Sequence, residues 1–549
     1  MLRAHNWQIP ETTKQIAEAS LPNGNRYLIF RDKLGVVYQD EAFAHLFVRL
    51  GQPAESPGLL AMITVMQYAE GLTDRQAAEA VGTRIDWKYA LGLAITATPI
   101  SHSVLSEFRQ RLLSGSAEQL LLDEMLSRLQ ANGWLKARGQ QRTDSTHVLG
   151  AIRQMNGLEC IGETLRAALN QLADVAPDWL VQQVGDDWFE LYGPRFENYR
   201  LPSQKNDRVE LAQRIGQDGR QLLQAIDSPT APSWLRALPR VQILRQVWIQ
   251  QFYDDGPCLH WRTRKDHGLP PHQSLICSPY DPEVRYRTKR QQGWTGYTVH
   301  LTESCDPEQP HFITHCDTTP ATTDDAQRLP VIHQALADKR LLPREHLVDT
   351  GYIEVDHLLN SQTDYQIELT GPVPPNTSWQ AQNEQAYDLT CFTIDWDQQR
   401  VTCPRGQTNV GWHHRDTPGG PVIDVRFSRT ACAACPDRHH CTRAKQGPRA
   451  LTFYPKLKQQ ALHQARLRQL TDPFKERYKL RAGVEGAISQ AVRCFGLRKA
   501  RYIGQTKVHL QHVAIAAAIN LTRIVAWLEE PTLAHTRVSS FQALDPGFT

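Results

Sequence analysis

The order of apolar patterns along the chain predicts an α/β protein, preceded by an all-helical N-terminal domain and interrupted by helical and β-rich insertions. Three observations carry this. At 549 residues the chain exceeds what one growing core supports, so two to four domains are expected. In its middle, short β-branched and aromatic runs alternate with segments of three-to-four-residue apolar repeat. Long helical or turn-rich stretches separate those strand-like runs, as insertions do. Apolar residues at 41% supply the cores, and the 33 Pro and 33 Gly mark turns without biasing any long stretch toward disorder.

Residues 1–35 read as an N-terminal leader with modest packing capacity. Residues 36–115 read as helical: LLAMITVMQYAEG has closely spaced apolar residues, TDRQAAEAVG offers Thr73 and Gln76 at capping-box spacing, and SVLSEFRQRLL makes a further helix. Such a unit can be a helix-turn-helix DNA reader or ordinary helical packing, and composition does not separate the two. A buttress helix is expected from about Ala117 to Gly133, and QQRTDSTHVLGAI places Asp144 at the end of an extended segment. The main α/β domain is expected over 136–525, with a helical insertion at 160–255. Beyond it, GWTGYTVHLTESC and HFITHCDTTP read as neighbouring strands, Asp324–Asp338 as a helix, and HLVDTGYIEVDHLL as a strand ending near Asp349 followed by a helix. Residues 365–445 read as a β-rich, Cys-containing insertion; helices resume near Leu457, and 526–549 is a C-terminal tail.

Charge and composition narrow the function classes. No stretch of 18 apolar residues is free of charge, and Val508–Trp527, which carries His509, His512 and Arg523, reads as a packed helix rather than a membrane span. The N-terminus MLRAHNWQIPETTKQIAEA has no apolar run followed by a small-residue cleavage site, so a cytoplasmic protein is expected. Eleven cysteines spread through a chain of this size suit a reducing compartment better than a disulfide framework. From Arg443 to Lys507 there are 16 Lys and Arg against Asp472, Glu476 and Glu485. That segment is net +13, which leaves the rest at −10 for a total of +3. A polyanionic partner matches such a field, and so does a merely solvated basic face.

Three acids stand in distinctive contexts: Asp144 in TDSTHV, Asp349 in VDTGY, and Glu485 in YKLRAGVEGAISQAVRCFG. Three carboxylates can hold two hard divalent ions about 4 Å apart and leave coordination positions for water and phosphate. Val484, Ile488, Ala491 and Phe495 form a buried helical stripe, and Tyr478, Arg481 and Glu485 can share a face beside it. Spacing alone does not single these three out of 58 acids. Asp281 in SPYDPEVRY is the rival, although a turn centred on its Asp-Pro pair explains it without metal.

Ordered motifs supply what spacing does not. FRQRLL, TDSTHVLGAIR, SPYDPEVRY with GWTGYTVHLTESC, VDTGYIEVDHLL, GPVPPNTSWQ, CFTIDWDQQRVTCPRG and YKLRAGVEGAISQAVRCFGLRKARYIGQTKVHLQHVAIAAAINLTRI closely resemble the DDE transposases of the IS1182 family, near the IS4-type group, over roughly residues 35–545. The resemblance implies an RNase H-like catalytic core with Asp144 on its first strand, Asp349 on its fourth and Glu485 on a later helix. Tyr478, Arg481 and Glu485 match the first three positions of the Y-x2-R-x3-E-x6-K signature; Val492 stands at the fourth, with Arg493 beside it able to replace the Lys if helix rotation permits. It further implies binding of terminal inverted repeats, metal-dependent end cleavage and strand transfer of an insertion sequence. The implied ions are two Mg²⁺, for which Mn²⁺ can substitute. Implied partners are double-stranded DNA, as inverted repeats and target, and at least a second copy in a synaptic dimer or higher assembly, nucleoid-associated and without a membrane. The rival readings are a metal-dependent nuclease that cannot join strands and a non-catalytic DNA-binding protein of transposase origin.

Cys432, Cys435 and Cys441 form C-x2-C-x5-C, and Cys403 in VTCPRG can complete a thiolate set for structural Zn²⁺, with His439 and His440 as substitutes. Reduced thiols in a compact subdomain are the alternative. Arg498, Lys499, Arg501 and Lys507 are candidate phosphate contacts. Trp294, Trp379 and Trp396 either pack the β regions or flank a groove.

Overall fold

The computed structural model describes residues 2, 5–48, 53–256, 259–263, 268–289, 291–530, 541 and 544. The chain forms two compact units: Met1–Lys136 with Asp144–Thr323 and Val484–Thr549, and Ala137–Thr143 with Asp324–Gly483.

The first unit is built around strands β1 (Gln140–Leu149, from Asp144 onward), β2 (Arg285–Lys289), β3 (Gln292–Ser304) and β4 (Ile313–Pro320). The long β3 pairs antiparallel with β2 at its start and with β4 along Tyr297–Glu303, and it neighbours β1. From Tyr297 to Ser304 every residue of β3 is buried, which is how a strand covered on both faces reads. The helix Gln505–Glu529 packs on β4 and on the helices Pro57–Glu70 and Leu120–Ala131. It is long and apolar enough to cross a membrane, but 83% of its apolar window is buried inside the protein. Polar side chains within it are hydrogen-bonded to its neighbours. Asn520 accepts from Ile313 N at 2.8 Å and donates to Ile313 O at 2.9 Å, and His512 Nδ1 lies 2.8 Å from Thr318 Oγ1. Because an unpaired polar group there would be costly, these bonds fix the register of helix on strand.

The segment expected as a weakly packed leader is folded. Glu11–Ser20 and Arg26–Leu34 are helices, and Ala17, Tyr27, Phe30 and Leu34 are buried. Few apolar residues suffice because two are aromatic rings, which bury large areas each. The Thr73–Gln76 capping box forms at the start of Asp74–Thr83. In Pro57–Glu70 all residues except the last are buried, so the first long helix of the unit left open between DNA reader and ordinary packing is a core element.

The helical insertion has its own core. Gly157–Val175, Lys205–Asp227 and Pro239–Gln251 pack together through Leu165, Ile215, Leu222, Leu244 and Val247. Close approach demands Gly219 there, since a Cβ would stand 2.1 Å from the Trp248 ring. The indole donates to Gly216 O at 2.9 Å.

In the second unit, residues 140–142 of β1 pair in parallel with β5 (Glu345–Leu347), and β5 with β6 (Glu368–Thr370). Both the Asp325–Asp338 helix and the strand ending just before Asp349 follow the sequence expectation. A second sheet, β7 (Asn409–Thr417), β8 (Gly420–Phe427) and β9 (Ala450–Phe453), is antiparallel over a core of Phe392, Val401, Ile423, Val425 and Leu451. Since β9 closes this sheet, the β-rich insertion runs past the expected limit at 445. Of the expected tail 526–549, the final helix takes residues to Glu529, and 531–540, 542–543 and 545–549 lie outside the described residues.

Candidate active site

Asp144 is the fifth of ten residues in β1, not at its end as expected. At the strand's far end another segment bridges to it: Leu149 N donates to Arg498 O at 2.8 Å and Ala500 N to Leu149 O at 3.0 Å. Glu485 lies in the first turn of Gly483–Phe495, whose Val484, Ala487, Ile488, Ala491 and Phe495 are buried. The remaining face turns Glu485, Ser489, Val492 and Arg493 outward at helical spacing.

Asp144 and Glu485 line one cleft of about 340 Å³, together with Thr146, Arg493 and Arg498. Thr146 Oγ1 accepts from Arg498 Nε at 2.9 Å and so holds that guanidinium at the cleft wall. The neighbouring His147, packed at 5.5 Å from the Trp294 ring, has its pKa lowered by burial and by the Arg498 charge. Arg493 reaches the cleft beside Val492, the residue standing where the signature has Lys. Two carboxylates and two guanidiniums in one solvent-open cleft suit a phosphate ester bound with cations.

Asp349 belongs to the second unit, two residues past β5. It caps the short turn Thr350–Tyr352 and accepts from Gly351 N at 2.9 Å. A Cβ on Gly351 would lie 3.1 Å from Asp349 Oδ1 and 3.2 Å from Asp325 Oδ2, so glycine there leaves room for two acids. Sequence reading passed over Asp325; its only signal was the acidic pair Asp324–Asp325 opening a helix.

Tyr478 and Arg481 do not continue one helix into Glu485. Asp472–Lys479 ends, Leu480–Ala482 forms a 3-10 turn, and a new helix begins at Gly483. The buried Arg142 guanidinium donates to the Leu480 carbonyl, which also accepts from Gly483 N in the 3-10 turn. Tyr478 stacks on Phe474 at 5.8 Å.

Other candidates separate. Lys499 and Lys507 are exposed. Arg501 is engaged by the N-terminal helices, donating to Leu72 O at 3.1 Å and lying 5.0 Å from the Tyr68 ring. Asp281 is buried; it accepts from Tyr297 OH at 2.9 and 2.8 Å and from Gly504 N at 3.2 Å, which pins the start of the last helix. Trp294 is buried, Trp396 packs against the β-rich core, and Trp379 lies under Arg443 at 4.4 Å.

Cys403, Cys432 and Cys441 pack against the same small β-rich core. Burial pushes the Cys441 thiol up to about 11, with smaller contributions in the same direction from the nearby Cys432, Cys403 and Cys435 thiols. Among the described residues, no group of three or more His, Cys, Asp or Glu side chains is arranged to hold a metal ion.

Residues 402–525 match the family described as Transposase DDE domain, and residues 15–111 match Transposase domain (DUF772). A DDE-type transposase domain and an N-terminal transposase domain are thus present in these two stretches. Both matches are consistent with an IS1182-like member. The first takes in Glu485, the four cysteines and the basic segment through Lys507; the second takes in the N-terminal helices. No curated protein and no solved structure matches the chain significantly.

Proposed function

We propose that this chain binds the terminal inverted repeats of an insertion sequence, cleaves the ends and joins them to target DNA. The observation that carries the reading is the cleft shared by Asp144, Glu485, Arg493 and Arg498. Carboxylates from a strand centre and a helix start, with β1 bordered by β3 and by parallel β5, suit an RNase H-like core. Asp144, Asp349 and Glu485 are the proposed holders of two Mg²⁺, or Mn²⁺ in substitution, and such ions would activate the attacking oxygen and neutralise the leaving one. Arg493 and Arg498 then orient the scissile phosphate, with Thr146 fixing Arg498. Tyr478, Arg481, Lys499 and Lys507 contact the flanking backbone. Water serves as nucleophile in cleavage and the freed 3′ hydroxyl in joining. Two ends must be held together, so a synaptic dimer or larger assembly on nucleoid DNA is part of the proposal. Cys403, Cys432, Cys435 and Cys441 are proposed ligands of a structural Zn²⁺, on the chemistry of the thiolate set and the common core of Cys403, Cys432 and Cys441.

The test supplies the purified chain with the element's own ends, target plasmid and Mg²⁺. Asp144→Asn, Asp349→Asn and Glu485→Gln are each expected to lower both cleavage and joining by about 100-fold or more. Full activity in all three variants would overturn the triad. Cleavage without joining in the unsubstituted chain would make it a nuclease, and binding without turnover a DNA-binding module.

A further inference from the structure

Beyond the cleft of Asp144 and Glu485, the first unit has a larger one of about 670 Å³, walled by the helical insertion and by the residues that follow β1. Four arginines line it: Arg153, Arg166, Arg195 and Arg240. Three are braced from behind. Arg153 donates to Phe196 O at 2.6 Å and pairs with Glu159; Arg166 donates to Tyr280 OH at 3.2 Å; Arg240 takes the Pro279 carbonyl and lies 5.6 Å from the Tyr280 ring. A guanidinium has five N–H donors in a fixed fork, so one braced edge still leaves donors for a ligand. The most buried acid on the wall, Glu163, is spent internally: its oxygens accept from Phe196 N at 2.6 Å, from Tyr280 OH and from Arg166 Nη1 at 3.5 Å, so Arg166 is a cleft arginine whose charge is offset. Asp174 and Glu197 also line the cleft, the latter 3.9 Å from Arg200.

The two clefts lie along one path. Thr146 lines the first and Ala151 the second, five residues on, and Arg498 and Ile503 mark the same progression on the segment paired with Leu149. Five extended residues span at most about 17 Å, roughly the rise of five base pairs. We infer that the helical insertion holds the DNA backbone in this arginine-lined cleft, gripping phosphates within about five base pairs of the cleavage point. This rests on the transposase reading above and assigns the insertion a role within it: phosphate positioning without base readout.

Binding of a fluorescein-labelled 30-bp duplex of mixed sequence, measured by anisotropy at several salt concentrations without divalent metal, separates this from the chemistry. Each lost phosphate contact lowers the slope of log K against log salt by about 0.9. The R195A/R240Q variant is expected to lose about two units of slope, and R195A alone about one, which keeps the test valid if the double variant melts early. Arg214, on the same insertion but outside the cleft and paired with Asp187, supplies the control: R214A should keep the full slope. Unchanged slopes in both cleft variants, or an equal loss in R214A, would overturn the inference while metal-dependent cleavage still upheld the transposase reading. An unsubstituted chain that does not bind the duplex would sink both.

Discussion

The helices Gly483–Phe495 and Gln505–Glu529 follow one another in the chain, and both are rich in apolar residues, yet they do opposite things with their polar side chains. The first buries one stripe and leaves Glu485 and Arg493 on an open face lining a cleft. The second is buried nearly all round, so Gln511, His512 and Asn520 find partners in the neighbouring strand and loop. A polar group on a half-buried helix is available to a ligand. On an enclosed helix it becomes a register pin.

Exchanging the kind of damage should break this contrast most visibly. Glu485→Gln is expected to reduce DNA cleavage by about 1,000-fold with a much smaller loss of stability than Asn520→Ala. Asn520→Ala should do the reverse: it strands the buried Ile313 N–H and C=O, costs about 2–4 kcal/mol of stability, and leaves cleavage per folded molecule near normal. Denaturant titration beside a cleavage assay reads both, and a stability loss in Glu485→Gln as large as that in Asn520→Ala would end the distinction.

A finer contrast lies in the basic segment between the helices. Arg498 lines the cleft whereas Arg501 is engaged by Tyr68 and Leu72. Arg498→Ala should lower the salt slope of DNA binding by about one. Arg501→Ala should leave the slope intact and cost up to about 1 kcal/mol of stability.

A pH dependence is expected in the enclosed helix. Burial holds His512 at about 3, so it stays neutral in the folded protein, while the unfolded chain takes up a proton below the ordinary value of 6.5. Its contribution is therefore full above pH 6.5 and is lost as pH falls from 6.5 toward 3. At pH 5 the loss is on the order of 1–2 kcal/mol, and thermal melts of His512→Asn should fall less between pH 7 and 5 than those of the unsubstituted chain. Parallel pH profiles would remove His512 as a cause.

Much of the fold was legible because it is local. The capping box at Thr73, the paired strands Gln292–Ser304 and Ile313–Pro320, the helix Asp325–Asp338 and the stripe Val484–Phe495 each follow from periodicity or a capping pattern. What was misread depended on distant chain. The helix expected to carry Tyr478, Arg481 and Glu485 together is interrupted by a 3-10 turn at Leu480–Ala482, whose first carbonyl meets Arg142 from over 300 residues away. The N-terminal leader folds because its aromatic residues find a helical neighbour in Ile85–Ala90. Asp325 went unnoticed because an acid at a helix start is ordinarily a cap.

By itself, the sequence determined the order of strands and helices, the basic segment, and the motifs that resemble DDE transposases, since each is written in residues a few positions apart. Only the tertiary structure decided that Asp144 and Glu485 line one cleft with Arg493 and Arg498, that Asp281 is a structural anchor, and that Arg501 meets Leu72 and Tyr68. Periodicity specifies which face of an element is apolar. What meets the polar remainder depends on segments brought together by burying those apolar faces, and spacing along the chain does not encode it.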